Sequence, residues 1–157
     1  NTCRSPMAEA IARHIVTDAD TAQNDTTDPS DMKTLPDEAE TIEVESAGVL
    51  AGPGAPMTLE AQQALQTMGI ETKGHTSRPI SKQMIDTAER IYCMTEAHRN
   101  AIVQLAPDAE TKTHLLDPEG DIVDPIGMDR HTYLQCAQRI EQCIRRHLDH
   151  TDASESA

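Results

Sequence analysis

The first residues of the chain combine an arginine, two hydroxyl groups and a thiol immediately before a helical pattern. Residues 1–6 read NTCRSP. Ser5 and Pro6 favour a helix start, with Ser5 as N-cap and Pro6 as the first helical residue, because a hydroxyl can cap the first turn and proline needs no N–H there. Helix starts bind anions through free backbone N–H groups, and Arg4 offers a two-pronged donor beside them. An arginine beside a helix cap is also an ordinary surface feature, so this pattern alone leaves both interpretations open.

A carboxylate is the second candidate group, at Asp124 in the DPIG sequence of residues 124–127. A carboxylic acid facing a reacting group can protonate the atom that leaves and afterwards activate a water molecule. An Asp-Pro pair is equally a common turn signal, and Asp117 begins another such pair. The dipeptide alone therefore does not decide between a turn and a general acid.

Strand and helix patterns alternate along the chain and predict the elements that position these groups. A helix starting at Ser5 and Pro6 is predicted to fade near Val16. The predicted strands are 42–45, 91–94 and 114–116, and the remaining predicted helices are 57–68, 82–88, 95–105 and 130–148. Such an alternation predicts a three-layer α/β fold with a parallel sheet.

The net charge of −14 is concentrated in residues 17–40, which hold eight acidic residues against the single base Lys33. This segment lacks periodicity and is predicted to be a disordered, low-complexity insertion in one domain over residues 1–150, followed by a disordered tail over 151–157. The acidity argues against nucleic acid and anionic membranes as partners. No apolar run reaches membrane-spanning length, and the four cysteines lack zinc or disulfide spacing, so we expect a cytoplasmic protein.

Taken together, the NTCRSP and DPIG segments resemble the low-molecular-weight protein tyrosine phosphatases. The phosphate loop of that family has the spacing Cys-(five residues)-Arg, which puts the nucleophilic cysteine three residues before Asn1. The resemblance implies that Arg4 binds the phosphoryl group, that Ser5 hydrogen-bonds the thiolate, and that Asp124 is the general acid. It also implies a phosphorylated protein as substrate, with no cofactor and no metal, and gives no oligomeric state.

The same resemblance implies a supporting network behind the loop. Asn1, Thr2 and Cys3 match the loop itself, while Ser46 and His75 match residues that hydrogen-bond the loop asparagine and Ser5. The family sheet has four parallel strands, of which the first and central strand is missing from this chain. On this interpretation the chain as given lacks its nucleophile, and an inactive phosphate-binding fragment is one alternative function.

The substrate remains open at this point. Phosphotyrosine is the family-level expectation, but the chain has no Phe or Trp, and its acid loop carries Ile126 where an aromatic wall is usual. Thr2 resembles the threonine of bacterial protein arginine phosphatases, which makes phosphoarginine the second expectation. An arsenate reductase is a further alternative, although the only cysteine near the strand–helix junction, Cys93, lies inside the predicted strand.

Overall fold

The computed structural model describes residues 2–23 and 41–155, and side chains within 2–22 and 41–151. The chain-order elements are α1 (Arg4–Gln23), α2 (Leu59–Thr67), α3 (Lys82–Thr87), β1 (Ile91–Cys93), α4 (Glu96–Leu105), a 3-10 helix (Pro107–Lys112), β2 (Thr113–Leu115) and α5 (Arg130–Glu155). None of the helices in these ranges is long and apolar enough to span a membrane. The fold is α/β, as predicted.

Two strands form the parallel sheet among the described residues, with Ile91 beside Thr113 and Cys93 beside Leu115. Successive residues of β1 point to opposite faces of a sheet. Ile91 and Cys93 accordingly join one apolar cluster, whereas Tyr92 joins the other. Both faces of β1 are thus covered, which confirms the prediction of a strand between two layers.

The predicted strand over 42–45 is not a regular strand. The carbonyl of Val44 accepts hydrogen bonds from the Arg13 side chain, and the nearest backbone bridge of this segment joins Gly48 to Pro79. An alternating pattern forms a strand only when a neighbouring strand is there to pair with it. The four-stranded sheet therefore remains a prediction, since the described residues supply only β1 and β2.

Helix α1 differs from its prediction at both ends. Met7 N–H donates to the Cys3 carbonyl at 3.1 Å, so Cys3 is at the cap position and Ser5 and Pro6 lie within the first turn. At the other end, the helix continues past Val16 to Gln23. Thr17 donates its hydroxyl to the carbonyl one turn earlier, at 2.8 Å from Arg13 O. Part of the predicted disordered insertion is thus helical, and residues 24–40 lie outside the described residues.

Helix α5 packs against α1 and α2 and carries the largest apolar face of the core. Its buried residues are Tyr133, Cys136, Ala137, Ile140, Cys143 and Ile144. The helix runs to Glu155, so the predicted end at 148 is wrong and the predicted domain boundary at 150 falls inside it. Residues 156 and 157 lie outside the described residues.

The other helices begin within two residues of their predicted starts. Thr58, Ser81 and Thr95 accept hydrogen bonds from N–H groups in the first turns of α2, α3 and α4, respectively. A hydroxyl at this position satisfies an amide that would otherwise lack a partner. These caps fix where α4 begins, directly after β1 and beside the segment that carries Asp124.

The buried carboxylate of Asp117 predicts an acid-sensitive stability. Arg139 contacts both of its oxygens, with Nε–Oδ2 at 2.7 Å and Nη2–Oδ1 at 2.9 Å, and these hydrogen bonds hold the Asp117 pKa below its ordinary value. A depressed folded-state pKa stabilises the protein above the unfolded-state value of about 4, and that stability is lost as the pH falls through the folded-state value. We therefore expect Asp117→Asn to lower the melting temperature at pH 7 and to flatten its decline below about pH 4.

Circular dichroism melting between pH 7 and pH 2 measures this effect. Asp86→Asn is the matched control, because Asp86 pairs with Lys82 on the exposed surface of α3. Exposed ion pairs contribute little to stability, so its melting curve against pH should follow that of the unaltered protein. Parallel curves for Asp117→Asn and the unaltered protein would contradict the assignment.

Candidate active site

A cavity of about 230 Å³ lies where the start of α1, the end of β1 and the first turn of α4 meet. Its lining residues are 2–5, 47–51 and 92–94, together with Ile80, His98, Ile102, Asp124 and Ile126. Among the described lining residues, β1 contributes Tyr92 and Cys93 and β2 contributes none. The first turns of two helices, α1 and α4, reach this cavity, and helix N-termini favour an anion there.

Arg4 and Asp124 meet at this cavity, as the sequence predicted. Arg4 Nη2 lies 3.1 Å from Asp124 Oδ2, and Arg4 Nη1 donates to the carbonyl of Ile122 at 2.6 Å. A guanidinium has five N–H donors, so two such bonds leave others for a bound oxyanion. The arginine thus ties the start of α1 to the segment that carries the carboxylate.

Asp124 is part of a turn, as one interpretation of the DPIG sequence predicts, and its carboxylate also lies at the cavity. Its Oδ1 accepts the N–H of Ile126 at 3.2 Å, and Gly127 follows with a φ of +78°, a conformation that favours glycine. The side chain is 43 % exposed, on the cavity wall. Asp117, in the other Asp-Pro pair, is instead buried against Arg139. The two Asp-Pro pairs therefore differ in exposure, since Asp124 lies on the cavity wall and Asp117 is buried.

Cys3 is buried beside the same carboxylate. Its side chain is in the core, and its Sγ donates to Asp124 Oδ1 at 3.3 Å. Burial and the Asp124 carboxylate raise the pKa of Cys3 to about 12, and burial raises the pKa values of Cys93 and Cys136 to about 11. Catalytic cysteines have lowered pKa values, because the thiolate is the reactive form. The described cysteines therefore have the properties of structural thiols.

Ser46 and His75 converge on Glu9, a residue that the sequence interpretation missed. The hydroxyl of Ser46 donates to Glu9 Oε2, and His75 Nδ1 lies 3.8 Å from the same oxygen. Arg13 contacts the other oxygen at 2.8 Å. The position of Glu9 one helical turn after Ser5 was the available signal. The predicted link from Ser46 and His75 to Asn1 and Ser5 stays a prediction, and Asn1 lies outside the described residues.

His98 lines the cavity and is another residue without a predicted role. It lies in the first turn of α4, half-buried, with Arg4 and Asp124 close enough to affect it. Burial and the positive charge of Arg4 lower its pKa, so the imidazole is neutral at pH 7. Its position directly after a buried strand and a Thr95 cap was the signal available in the sequence.

Comparison with known proteins assigns the chain to a family. The sequence profile described as low molecular weight phosphotyrosine protein phosphatase matches residues 32–156. The chain belongs to this family. A protein-arginine-phosphatase of Geobacillus stearothermophilus is 34 % identical over 151 residues, covering 93 % of this chain and 86 % of the relative. The human low molecular weight phosphotyrosine protein phosphatase is 27 % identical over 158 residues, covering 95 % and 89 %.

A solved structure supports the same assignment. The YwlE arginine phosphatase from Geobacillus stearothermophilus superposes with a TM-score of 0.76 at 32 % identity, covering 99 % of this chain and 89 % of the other. Members of the low molecular weight phosphatase family act on phosphorylated proteins. A phosphorylated protein is therefore the class of partner for this chain.

The walls of this low molecular weight phosphatase cavity are aliphatic. Leu50 on one side is 98 % exposed and Ile126 on the other is 58 % exposed. Tyr92 is also among the lining residues, although its ring packs 4.4 Å from the His147 ring, on the core side. Leu50 and Ile126 thus leave their parts of the wall without an aromatic ring, as predicted. Tyr92, in contrast, lies closer to the cavity than its position on the strand suggested.

Proposed function

We propose that the protein is a protein arginine phosphatase that works through a phosphocysteine intermediate. The observation that carries this proposal is the meeting of the Arg4 guanidinium and the Asp124 carboxylate at one cavity, at the start of α1. Arg4 supplies a cation for the phosphoryl oxygens, and Asp124 supplies the acid for the leaving group.

The nucleophile in this proposal is a cysteine six residues before Arg4, hence three residues before Asn1. Its thiolate attacks phosphorus, the S–P bond forms, and the P–N bond of phosphoarginine breaks as Asp124 protonates the departing guanidine nitrogen. Water then attacks the phosphocysteine with Asp124 as base, which releases phosphate and the thiolate. Among the residues that the structure describes, β1 is paired with β2 alone, and a strand that delivers such a cysteine could pair along its other edge.

Phosphoarginine is favoured over phosphotyrosine by the residues at the cavity. Thr2 lines it, at a position where the resemblance to arginine phosphatases places a threonine. Asp124 can pair with a guanidinium on the substrate as well as protonate it, and aliphatic walls at Leu50 and Ile126 do not offer a ring to stack on phosphotyrosine. The 34 % identical relative bears the name of a protein-arginine-phosphatase.

Phosphotyrosine hydrolysis is the second candidate function, supported by the family description and by Tyr92 among the lining residues. An arsenate reductase has less support, because it needs exchangeable thiols. Burial raises the pKa values of Cys93, Cys136 and Cys143, which leaves these thiols unreactive.

Competing hydrolysis of phosphoarginine and phosphotyrosine tests the substrate. With the nucleophile present, we expect kcat/KM for phosphoarginine to exceed that for phosphotyrosine by at least about 10-fold, the scale of one good polar contact. Thr2→Ile should reduce this ratio, whereas Thr2→Ser keeps the hydroxyl and should preserve it. A preference for phosphotyrosine that Thr2→Ile leaves unchanged would favour the second candidate function.

A further inference from the structure

The two carboxylate oxygens of Asp124 have different neighbours. Oδ1 accepts from the buried Cys3 Sγ at 3.3 Å and from the Ile126 N–H at 3.2 Å. Oδ2 lies 3.1 Å from Arg4 Nη2. The guanidinium attracts this oxygen by its charge and has further N–H donors for a bound anion. One oxygen is thus turned toward the core and the loop backbone, and the other toward the arginine at the cavity.

From this asymmetry we infer that Cys3 is a positioning residue for the general acid. Its S–H group holds Oδ1 of Asp124, fixes the rotamer of the carboxylate, and leaves Oδ2 as the oxygen that carries and transfers the proton. This inference rests on the proposed function of Asp124 as general acid. On this inference Cys3 contributes to catalysis as a neutral thiol, without forming a thiolate and without being oxidised.

The surroundings of Cys3 suit a permanent hydrogen-bond donor. Burial and the neighbouring carboxylate raise its pKa to about 12, so the thiol keeps its proton throughout the range in which a phosphatase works. A carboxylate oxygen that already accepts two donors is a poor place for a further proton, since a protonated oxygen is itself a donor there. Oδ2 has Arg4 as its partner, and when Arg4 turns to the phosphoryl oxygens Oδ2 becomes the oxygen free to carry the transferable proton.

A thiol that only fills space would behave differently. Cys3 joins the same apolar cluster as Met7 and Cys143, so its removal costs packing whatever its role. Lost packing lowers stability and affects all substrates alike. Lost orientation of an acid affects a substrate in proportion to its need for protonation, because a good leaving group departs without help.

The first experiment compares two aryl phosphates on the nucleophile-containing protein: phenyl phosphate, whose leaving group needs a proton, and 4-nitrophenyl phosphate, whose leaving group hardly does. Cys3→Ala should lower kcat/KM for phenyl phosphate about 10-fold and kcat/KM for 4-nitrophenyl phosphate less than about 3-fold, because kcat/KM covers the departure of the leaving group and not the later hydrolysis that both substrates share. Cys3→Ser keeps a donor and should recover most of the loss. Cys143→Ala, another buried thiol of the cluster, should leave the ratio of the two rates unchanged.

An equal loss with both substrates, or no loss in Cys3→Ala, would overturn the inference. A second measurement does not depend on turnover: the Cβ chemical shift of Cys3, followed by NMR against pH in the 157-residue chain, reports its protonation. Asp124→Asn should lower the Cys3 pKa from about 12, because the negative acceptor is gone. If the nucleophile-containing protein shows no turnover, the proposed function fails. If Asp124→Asn leaves the titration of Cys3 unchanged, the hydrogen bond between Cys3 and Asp124 is overturned independently.

Discussion

The 157-residue chain is expected to show no hydrolysis of p-nitrophenyl phosphate above background. A thiol with a pKa of about 12, as at Cys3, has only about one molecule in 10⁵ in the thiolate form at pH 7, so it cannot serve as the nucleophile at a useful rate. Cys93 and Cys136, with pKa values of about 11, are similarly disfavoured. Release of p-nitrophenolate measures this directly. It is followed by absorbance with the protein at micromolar concentration, against a blank without protein.

The matched comparison is the same chain extended upstream of Asn1 to include a cysteine six residues before Arg4. That protein should hydrolyse the substrate, and replacing the added cysteine with serine should abolish the activity. Robust turnover by the 157-residue chain that disappears in Cys3→Ala would show that the nucleophile has been misassigned. An inert extended protein that still binds phosphate would support the alternative of an inactive phosphate-binding protein.

Replacement of the carboxylate is expected to have the second-largest effect. In the extended protein, Asp124→Asn should lower kcat for a substrate with a poor leaving group by about 10²–10⁴, the usual contribution of a general acid. Asparagine keeps the turn, because its amide oxygen can still accept the Ile126 N–H. The loss should therefore appear in kcat, with the melting temperature nearly unchanged.

Asp117→Asn is the control for this change, since Asp117 also precedes a proline but lies buried against Arg139, away from the cavity. It should alter melting and leave kcat of the folded protein within about twofold, because substitutions that share no partner with a site act independently of it. If both variants lose turnover equally, the loss reflects folding. If Asp124→Asn retains full turnover, Asp124 has no part in the mechanism.

The features that were predictable from the sequence are those fixed by neighbouring residues. Thr58, Ser81 and Thr95 each cap the helix that follows, because the hydroxyl and the amide it accepts are three residues apart. The family resemblance predicted that Arg4 and Asp124 belong to one site, but it did not predict their ion pair. Neither residue type nor spacing alone would bring together groups so far apart in the chain.

The features that were missed depend on partners distant in sequence. The 42–45 pattern is that of a strand, but its Val44 carbonyl is bonded to an arginine side chain of α1, which no local rule anticipates. In the sequence, Glu9 is one of several polar residues on a helix. Only the fold shows that Ser46 and His75 contact it. The last seven residues of α1, 17–23, were missed for another reason: their polar composition resembles a disordered segment, and weak propensities do not decide such a case.

Helix α1 joins the anion-binding end of the site to the deepest part of the core. Arg4 and Ser5 line the cavity in its first turn, while Met7 and Ile11, further along the same helix, are fully buried. The amides of Arg4 and Ser5 have no acceptor within the helix and exchange readily, whereas amides from Met7 onward exchange only when the helix leaves the core, an opening close to global unfolding. An oxyanion bound there stabilises the whole molecule through mass action, so phosphate or vanadate acts as a stabilising ligand whose affinity is readable in hydrogen-exchange protection far from the cavity.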